Sequence, residues 1–256
     1  MLLIAAALQE ELKVALSRCR NPEKIRRRGV EFWQAARNNE TVYFLKTGIG
    51  PKRSAASLKR ALEVMEVSQI LVLGYAGALD PQLKLGTLVV VEKAFACSID
   101  KARPEVEHLK LDKIFVLAPC NALVKVAKSL HLPFSTGNTL TSSHVWGKPA
   151  HKKILLEKFR ASVVDMETAA LAGISETKGI PLRCIRAVSD EAGASFLEPF
   201  SYNPSPAVAR RAGQLLRKGN PAKILREWKC NTSVARVSLD RFLAGYLFPE
   251  NNALRL

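Results

Sequence analysis

The pattern that most constrains this chain is the alternation of a short apolar run, an amphipathic stretch and a second apolar run. Val42 to Leu45 and Gln69 to Leu73 are β-branched or apolar runs with polar or glycine boundaries, so they read as strands. Between them lies Pro51 to Val67, where Ala55, Leu58, Leu62 and Met65 recur at three- and four-residue spacing. That spacing predicts a helix laying one face on the sheet. The same order returns at Val163 to Val188, where a helix from Met166 to Thr177 precedes a strand at Leu182 to Val188. Strand, helix, strand is the βαβ signature, and the class is α/β. Met1 to Leu8 reads as a first buried strand, because no basic segment precedes it and Gln9-Glu10-Glu11 follows at once. Thr87 to Glu92 reads as another strand, and Asn121 to Leu130 and Lys148 to Phe159 as helices.

From Ala192 the character changes. Glu198-Pro199 and Asn203-Pro204-Ser205-Pro206 punctuate a loop, after which Ala207 to Arg217, Ala222 to Trp228 and Ser233 to Phe248 carry helical periodicity. Trp228, Phe242, Leu243, Tyr246 and Leu247 need a surface to bury against. The expected organisation is therefore one domain over residues 1–256, with 204–256 a helical C-terminal extension packed on it. No run of about 18 apolar residues occurs, which argues against a spanning helix. The five cysteines are scattered, without a CxxC pair or a histidine at metal-ligand spacing. They read as reduced thiols in a cytoplasm, and no metal or other cofactor is expected.

The net charge of +16 is compatible with nucleic acid, an anionic substrate or a solvated basic surface. Its carriers (Arg26-Arg27-Arg28, Lys52-Arg53, Lys152-Lys153, and Arg210, Arg211, Arg217, Lys218, Lys223 and Arg226) are dispersed and not interleaved with aromatic residues. A dedicated nucleic-acid surface is therefore not expected.

Two carboxylates stand at the ends of apolar runs, Glu167 within Asp165-Met166-Glu167-Thr168 and Asp190 within Arg186-Ala187-Val188-Ser189-Asp190. Ligands bind at strand ends in open α/β sheets, so the two can converge on one small molecule. Each also has a bland reading: Glu167 as the acid of a helix's first turn, Asp190 as an N-cap or turn residue. Gly74-Tyr75-Ala76-Gly77-Ala78 follows a strand with small residues, suiting either a tight turn or close approach of backbone to a ligand at Ala76 and Gly77. Thr47-Gly48-Ile49-Gly50-Pro51 opens a helix and suits ordinary capping or anion binding by backbone N–H groups. Gln9-Glu10-Glu11, taken alone, is a solvated loop.

Taken in order, AALQEEL, TGIG, LGYAGALDPQLKLGTLVV, VDMETAALA and RAVSD resemble the purine nucleoside phosphorylase and nucleosidase superfamily. The likeness is strongest to its 5′-methylthioadenosine/S-adenosylhomocysteine nucleosidase branch and to the adenosylhopane-cleaving enzymes, and it covers about residues 1–195. It implies a three-layer α/β/α sandwich around a mixed, twisted central sheet, a small-molecule purine nucleoside as partner, and a homodimer. It also implies roles. Asp190 matches the acid that protonates the purine N7, with Ser189 orienting it; burial beside Ala187 and Val188 is expected to help it keep its proton. Glu167 matches the residue that holds the ribose hydroxyls, Met166 packs beneath the sugar, and Glu11 matches the glutamate that positions the attacking water. The segment Thr141 to Trp146 falls where the family places its purine loop, although it departs from the usual Gly-Asp-Ala-Phe pattern. There Val145 or Trp146 covers the base, or Trp146 belongs to the core.

Cleavage of a purine from ribose needs a proton for the leaving base, a placed nucleophile and a clamp on the sugar. Phosphorylase members use a Gly-Asp-Pro loop after the first strand and an arginine two residues before the glycine that matches Gly74. Gln9-Glu10-Glu11 and Val72 stand at those places. A carboxylate beside a phosphate position repels the dianion, so hydrolysis is expected, with phosphorolysis the alternative. A basic nucleotide- or nucleic-acid-binding protein without activity is the non-enzymatic alternative.

Overall fold

Every residue of β1 (Leu2–Ala6) is buried, and its side chains alternate between two cores. Leu2, Ile4 and Ala6 face α1 (Gln9–Arg18), α3 (Asn121–Ser129) and α6 (Pro221–Leu247). Leu3 and Ala5 face α2 (Pro51–Ala61) and α5 (Thr168–Lys178). A strand covered on both faces has to be apolar throughout, which is why this one reads as an unbroken run. The computed structural model describes residues 1–37, 40–99, 105–195 and 221–249.

The sheet is mixed. From one edge it runs β2 (Arg20–Arg27), β3 (Val30–Arg37), β4 (Glu40–Lys46), β1 and β5 (Gln69–Ala78). Beyond β5 it closes on itself, through β10 (Leu182–Asp190), β6 (Leu88–Ser98), β8 (Phe134–Thr141) and β9 (Val163–Asp165) back to β5. β7 (Lys110–Val116) adds to β6. The pairs β1–β4, β1–β5, β5–β10, β6–β8 and β8–β9 are parallel. Helices on both faces make this the expected three-layer α/β/α sandwich; its closed part is an addition to that expectation. α4 (Pro149–Phe159) covers a separate cluster containing Trp146, Leu140 and Leu155.

Several elements differ from the sequence-based expectation. Gly74 to Ala78 is no turn: β5 runs through it, carried by hydrogen bonds to β10 as far as Gly77. Gln9-Glu10-Glu11 is the first turn of α1, with Glu11 only 3% exposed. α2 ends at Ala61, short of Val67. Ala222 to Trp228 and Ser233 to Phe248 form one 27-residue helix, α6. It packs on β10, β5, α1 and α3 and buries Phe242, Leu243 and Leu247, while Arg37 caps its end, donating to the carbonyls of Leu247 at 2.6 Å and Tyr246 at 3.1 Å. The expected helix at Ala207 to Arg217, the Pro204 loop, and Phe196, Leu197 and Phe200 lie outside the described residues, as does the Trp228 side chain. Among the described residues no helix is long and apolar enough to cross a membrane.

Candidate active site

The site lies where β5 changes neighbours. On one side β1 partners it up to Val72 and β9 from Gly77 onward. Between those points the strand's polar groups turn to side chains. The Tyr75 N–H donates to Glu11 Oε1 at 3.0 Å, the Tyr75 carbonyl accepts from Arg186 Nη1 at 3.4 Å, and the Ala76 carbonyl accepts from Ser189 Oγ at 3.3 Å. A cleft of about 190 Å³ opens there. Glu11, Ala76, Gly77, Val145, Trp146, Met166, Glu167, Ser189 and Asp190 all line it, so every site residue expected from sequence borders one cavity.

Glu11 reaches its place as the third residue of α1, bending back so that Oε2 accepts from the Leu8 N–H at 2.7 Å, half of a capping box. Burial pushes its carboxyl up to about 7, against the pull of the Leu8 amide and the Arg186 charge. Glu167 stands at the N-cap position of α5, yet its side chain does not cap that helix. Oε1 instead accepts from the Gly50 N–H at 2.9 Å, so the TGIG turn does present a backbone donor to an anion, and that anion is the protein's own carboxylate. Burial raises the Glu167 carboxyl too, with Arg186 opposing and Asp165 reinforcing the shift.

The helix cap is Asp165. Its Oδ1 accepts from the Glu167 and Thr168 amides, and its oxygens also take the hydroxyls of Thr139, Thr141 and Thr168. Arg186, 1% exposed, joins these carboxylates: Nε lies 3.1 Å from Asp165 Oδ2 and Nη2 lies 3.5 Å from Glu167 Oε2. Nε and Nη2 donate further to Thr168 Oγ1 at 3.1 and 2.7 Å. A buried guanidinium is tolerated only with such complete pairing. Arg186 and Asp165 thus hold Glu167 in place, and the Arg186 charge favours the ionised form of Glu11, tasks that the sequence reading assigned to neither. The signal available was a charged residue inside each apolar strand.

At the other end, a bulge between Val188 and Asp190 interrupts the β5–β10 register. Consecutive strand residues ordinarily point to opposite faces; the bulge turns Ser189 and Asp190 both toward the cleft. Ser189 Oγ donates to Asp190 Oδ1 at 2.8 Å. Asp190 is not enclosed by Ala187 and Val188 as expected. Its Oδ2 is paired with Lys152 Nζ at 2.5 Å, and Lys152, expected on a basic surface, is buried in α4. Trp146 serves both readings left open for it, belonging to the α4 core and bordering the cleft. Its Nε1 donates to Ser142 Oγ at 3.1 Å, and the half-buried His144, its pKa lowered by burial, stacks on it at 5.8 Å. Thr232 of α6 also lines the cavity. Lys52 and Arg53, two of the dispersed basic residues, are exposed on α2 and are not among the residues lining the cleft.

A family model described as the phosphorylase superfamily matches residues 2–218. The chain is 26% identical over 195 residues to an aminodeoxyfutalosine nucleosidase of Campylobacter jejuni, covering 74% of this chain and 85% of that protein. It is 26% identical over 222 residues to a 5′-methylthioadenosine/S-adenosylhomocysteine nucleosidase of Psychromonas ingrahamii, covering 84% and 96%. Among solved structures, futalosine hydrolase of Helicobacter pylori superposes with a TM-score of 0.73 at 18% identity, over 96% of each chain. The methylthioadenosine/adenosylhomocysteine nucleosidase of C. jejuni superposes at 0.71 and 21%, over 94% and 96%.

Proposed function

The chain belongs to the phosphorylase superfamily and is an enzyme of the nucleosidase kind, and from that premise we propose that it hydrolyses the N-glycosidic bond of an adenosyl-type purine nucleoside such as 5′-methylthioadenosine or S-adenosylhomocysteine. The observation that carries this reading is Glu11, a carboxyl raised to about 7 by burial and gripped by two backbone amides in the same cleft as Glu167 and Asp190. A general base works best when its pKa lies near the operating pH.

In this reading the ribose lies over Met166, with its hydroxyls on the free lone pairs of Glu167. Asp190, oriented by Ser189, delivers a proton to the purine N7 as the C1′–N9 bond breaks. Glu11 takes the proton of the water that adds to C1′. Two carboxyl groups acting on opposite sides of an oxocarbenium-like centre follow the logic of glycoside hydrolysis. Val145 and Trp146 flank the base. The relatives' names differ in the 5′ group of the nucleoside they act on, and the adenosyl portion is the part this proposal commits to. The same reading carries a homodimer in a reducing cytoplasm.

The test is product analysis in phosphate-free buffer with methylthioadenosine, adenosylhomocysteine, aminodeoxyfutalosine and adenosylhopane. Free adenine with a free reducing sugar is expected, and Asp190→Asn is expected to abolish turnover while retaining ligand. Strict dependence on phosphate, with a sugar phosphate as product, would replace hydrolysis by phosphorolysis.

A further inference from the structure

Lys152 sits one residue from Lys153, whose side chain is 76% exposed, yet Lys152 itself is wholly buried. Taking an ammonium out of water costs several kcal/mol unless it is closely paired. Here it donates to Asp190 Oδ2 at 2.5 Å and to the Glu191 carbonyl at 2.7 Å. It does not line the cleft, so it faces Asp190 from behind, on the side away from a bound ligand. A solvated position was one residue away on the same helix. The helix instead aims this charge at the carboxylate that ends β10.

The geometry points to Lys152 as a positioning residue that fixes the Asp190 carboxylate and supplies the proton Asp190 passes to the leaving purine. This assignment rests on the reading of Asp190 as the acid. As the C1′–N9 bond breaks, its electron pair stays with the purine. One proton moves from Nζ to the Asp190 carboxylate and from there to N7, leaving Lys152 a neutral amine. Water adds to C1′ and yields its proton to Glu11, and exchange with solvent returns a proton to Nζ. Nothing is oxidised or reduced. Other titratable groups around the pair are Glu191, whose carboxylate lies 3.6 Å from Lys84, and His151, edge-on to Trp146; the cleft itself is lined by Glu11, His144, Asp165 and Glu167.

The experiment compares methylthioadenosine with 4-nitrophenyl 5-methylthioribofuranoside, whose leaving group departs as an anion and needs no proton. In Lys152→Met, purine turnover near pH 8 is expected to fall at least about 10²-fold with KM little changed, the usual scale for losing acid catalysis, while nitrophenyl turnover stays within about threefold. The deficit in purine turnover relative to native protein at the same pH should shrink as the pH is lowered toward about 5, where solvent replaces the missing proton source; a structural prop would leave that ratio unchanged. Equal losses on both substrates in a protein that still melts cooperatively, or a loss independent of pH, overturn the assignment. Should the variant not fold, the native protein decides: an alkaline limb confined to the purine reaction supports the relay, and a limb shared by both substrates overturns it. Native protein that cleaves neither substrate removes the proposed function itself, and the role of Lys152 with it.

Discussion

Glycine at 74 and 77 shows how the site is fitted to its strand. A Cβ on Gly74 would meet Arg186 Nη1 at 2.5 Å and Glu11 Oε1 at 2.9 Å, and one on Gly77 would meet Asp190 Oδ2 at 2.9 Å. The small residues therefore make room for the site's own charged groups more than for a ligand's. Glu11 carries the sharpest consequence at this scale. Its folded value of about 7 lies above the ordinary 4.5, so the native state holds this proton more tightly than the unfolded chain. The associated stability is present at low pH and is lost as the pH rises toward and through 7, by about 3 kcal/mol. Glu11→Gln, which mimics the protonated form, should flatten that decline in urea melts at about pH 5 and about pH 8. It should also lower hydrolysis at least about 10²-fold, and native kcat/KM should rise with pH through about 7 as the base ionises. An unchanged stability slope would argue against a buried, protonated Glu11. Glu11, Glu167 and Asp190 were legible in the sequence because short motifs carry them. Asp165, Arg186 and Lys152 were not, since what defines them is burial and pairing with residues distant in the chain, and a lysine in a basic helix reads as solvated.

Of the elements covered by the two cores, β1, β4, β10, α3 and α5 were legible to within two residues, because burial imposes the periodicity being read, whereas α2, β5 and β6 were misjudged at one end by five or six residues and α1 and β3 were not read at all. The peripheral strands were missed for the opposite reason. β2 is Arg-Asn-Pro-Glu-Lys-Ile-Arg-Arg, and β7 is exposed along most of its length, so neither shows an alternation tied to a core. α6 was split in two by polar residues around Asn231 that fall in mid-helix; its continuity comes from tertiary packing. Phe242 is fully buried there and stacks on Tyr246 at 5.9 Å. Phe242→Ala should destabilise the protein by about 3–5 kcal/mol in denaturant titration, the usual cost of emptying an aromatic site in a core. Because Thr232 of the same helix lines the cleft, a loss of substrate affinity is expected alongside. A cost below about 1 kcal/mol would mean that α6 is dispensable to the core.

At the scale of the molecule, the closed half of the sheet brings the strands bearing Asp165 and Asp190 to the same partner, β5, so the two ends of the cleft are set by one strand. β5 is also where the ladder is interrupted, and the interruption has a dynamic consequence. Main-chain amides in a continuous ladder exchange with deuterium only when the sheet opens, whereas the Tyr75 amide is secured by the carboxylate of Glu11. Its protection should fall by an order of magnitude or more in Glu11→Ala while that of Leu71 and Val72 is maintained, and unchanged protection at Tyr75 would contradict this. A single backbone hydrogen deep in the sheet would then report, without any substrate present, whether Glu11, the side chain proposed to activate water, is in place.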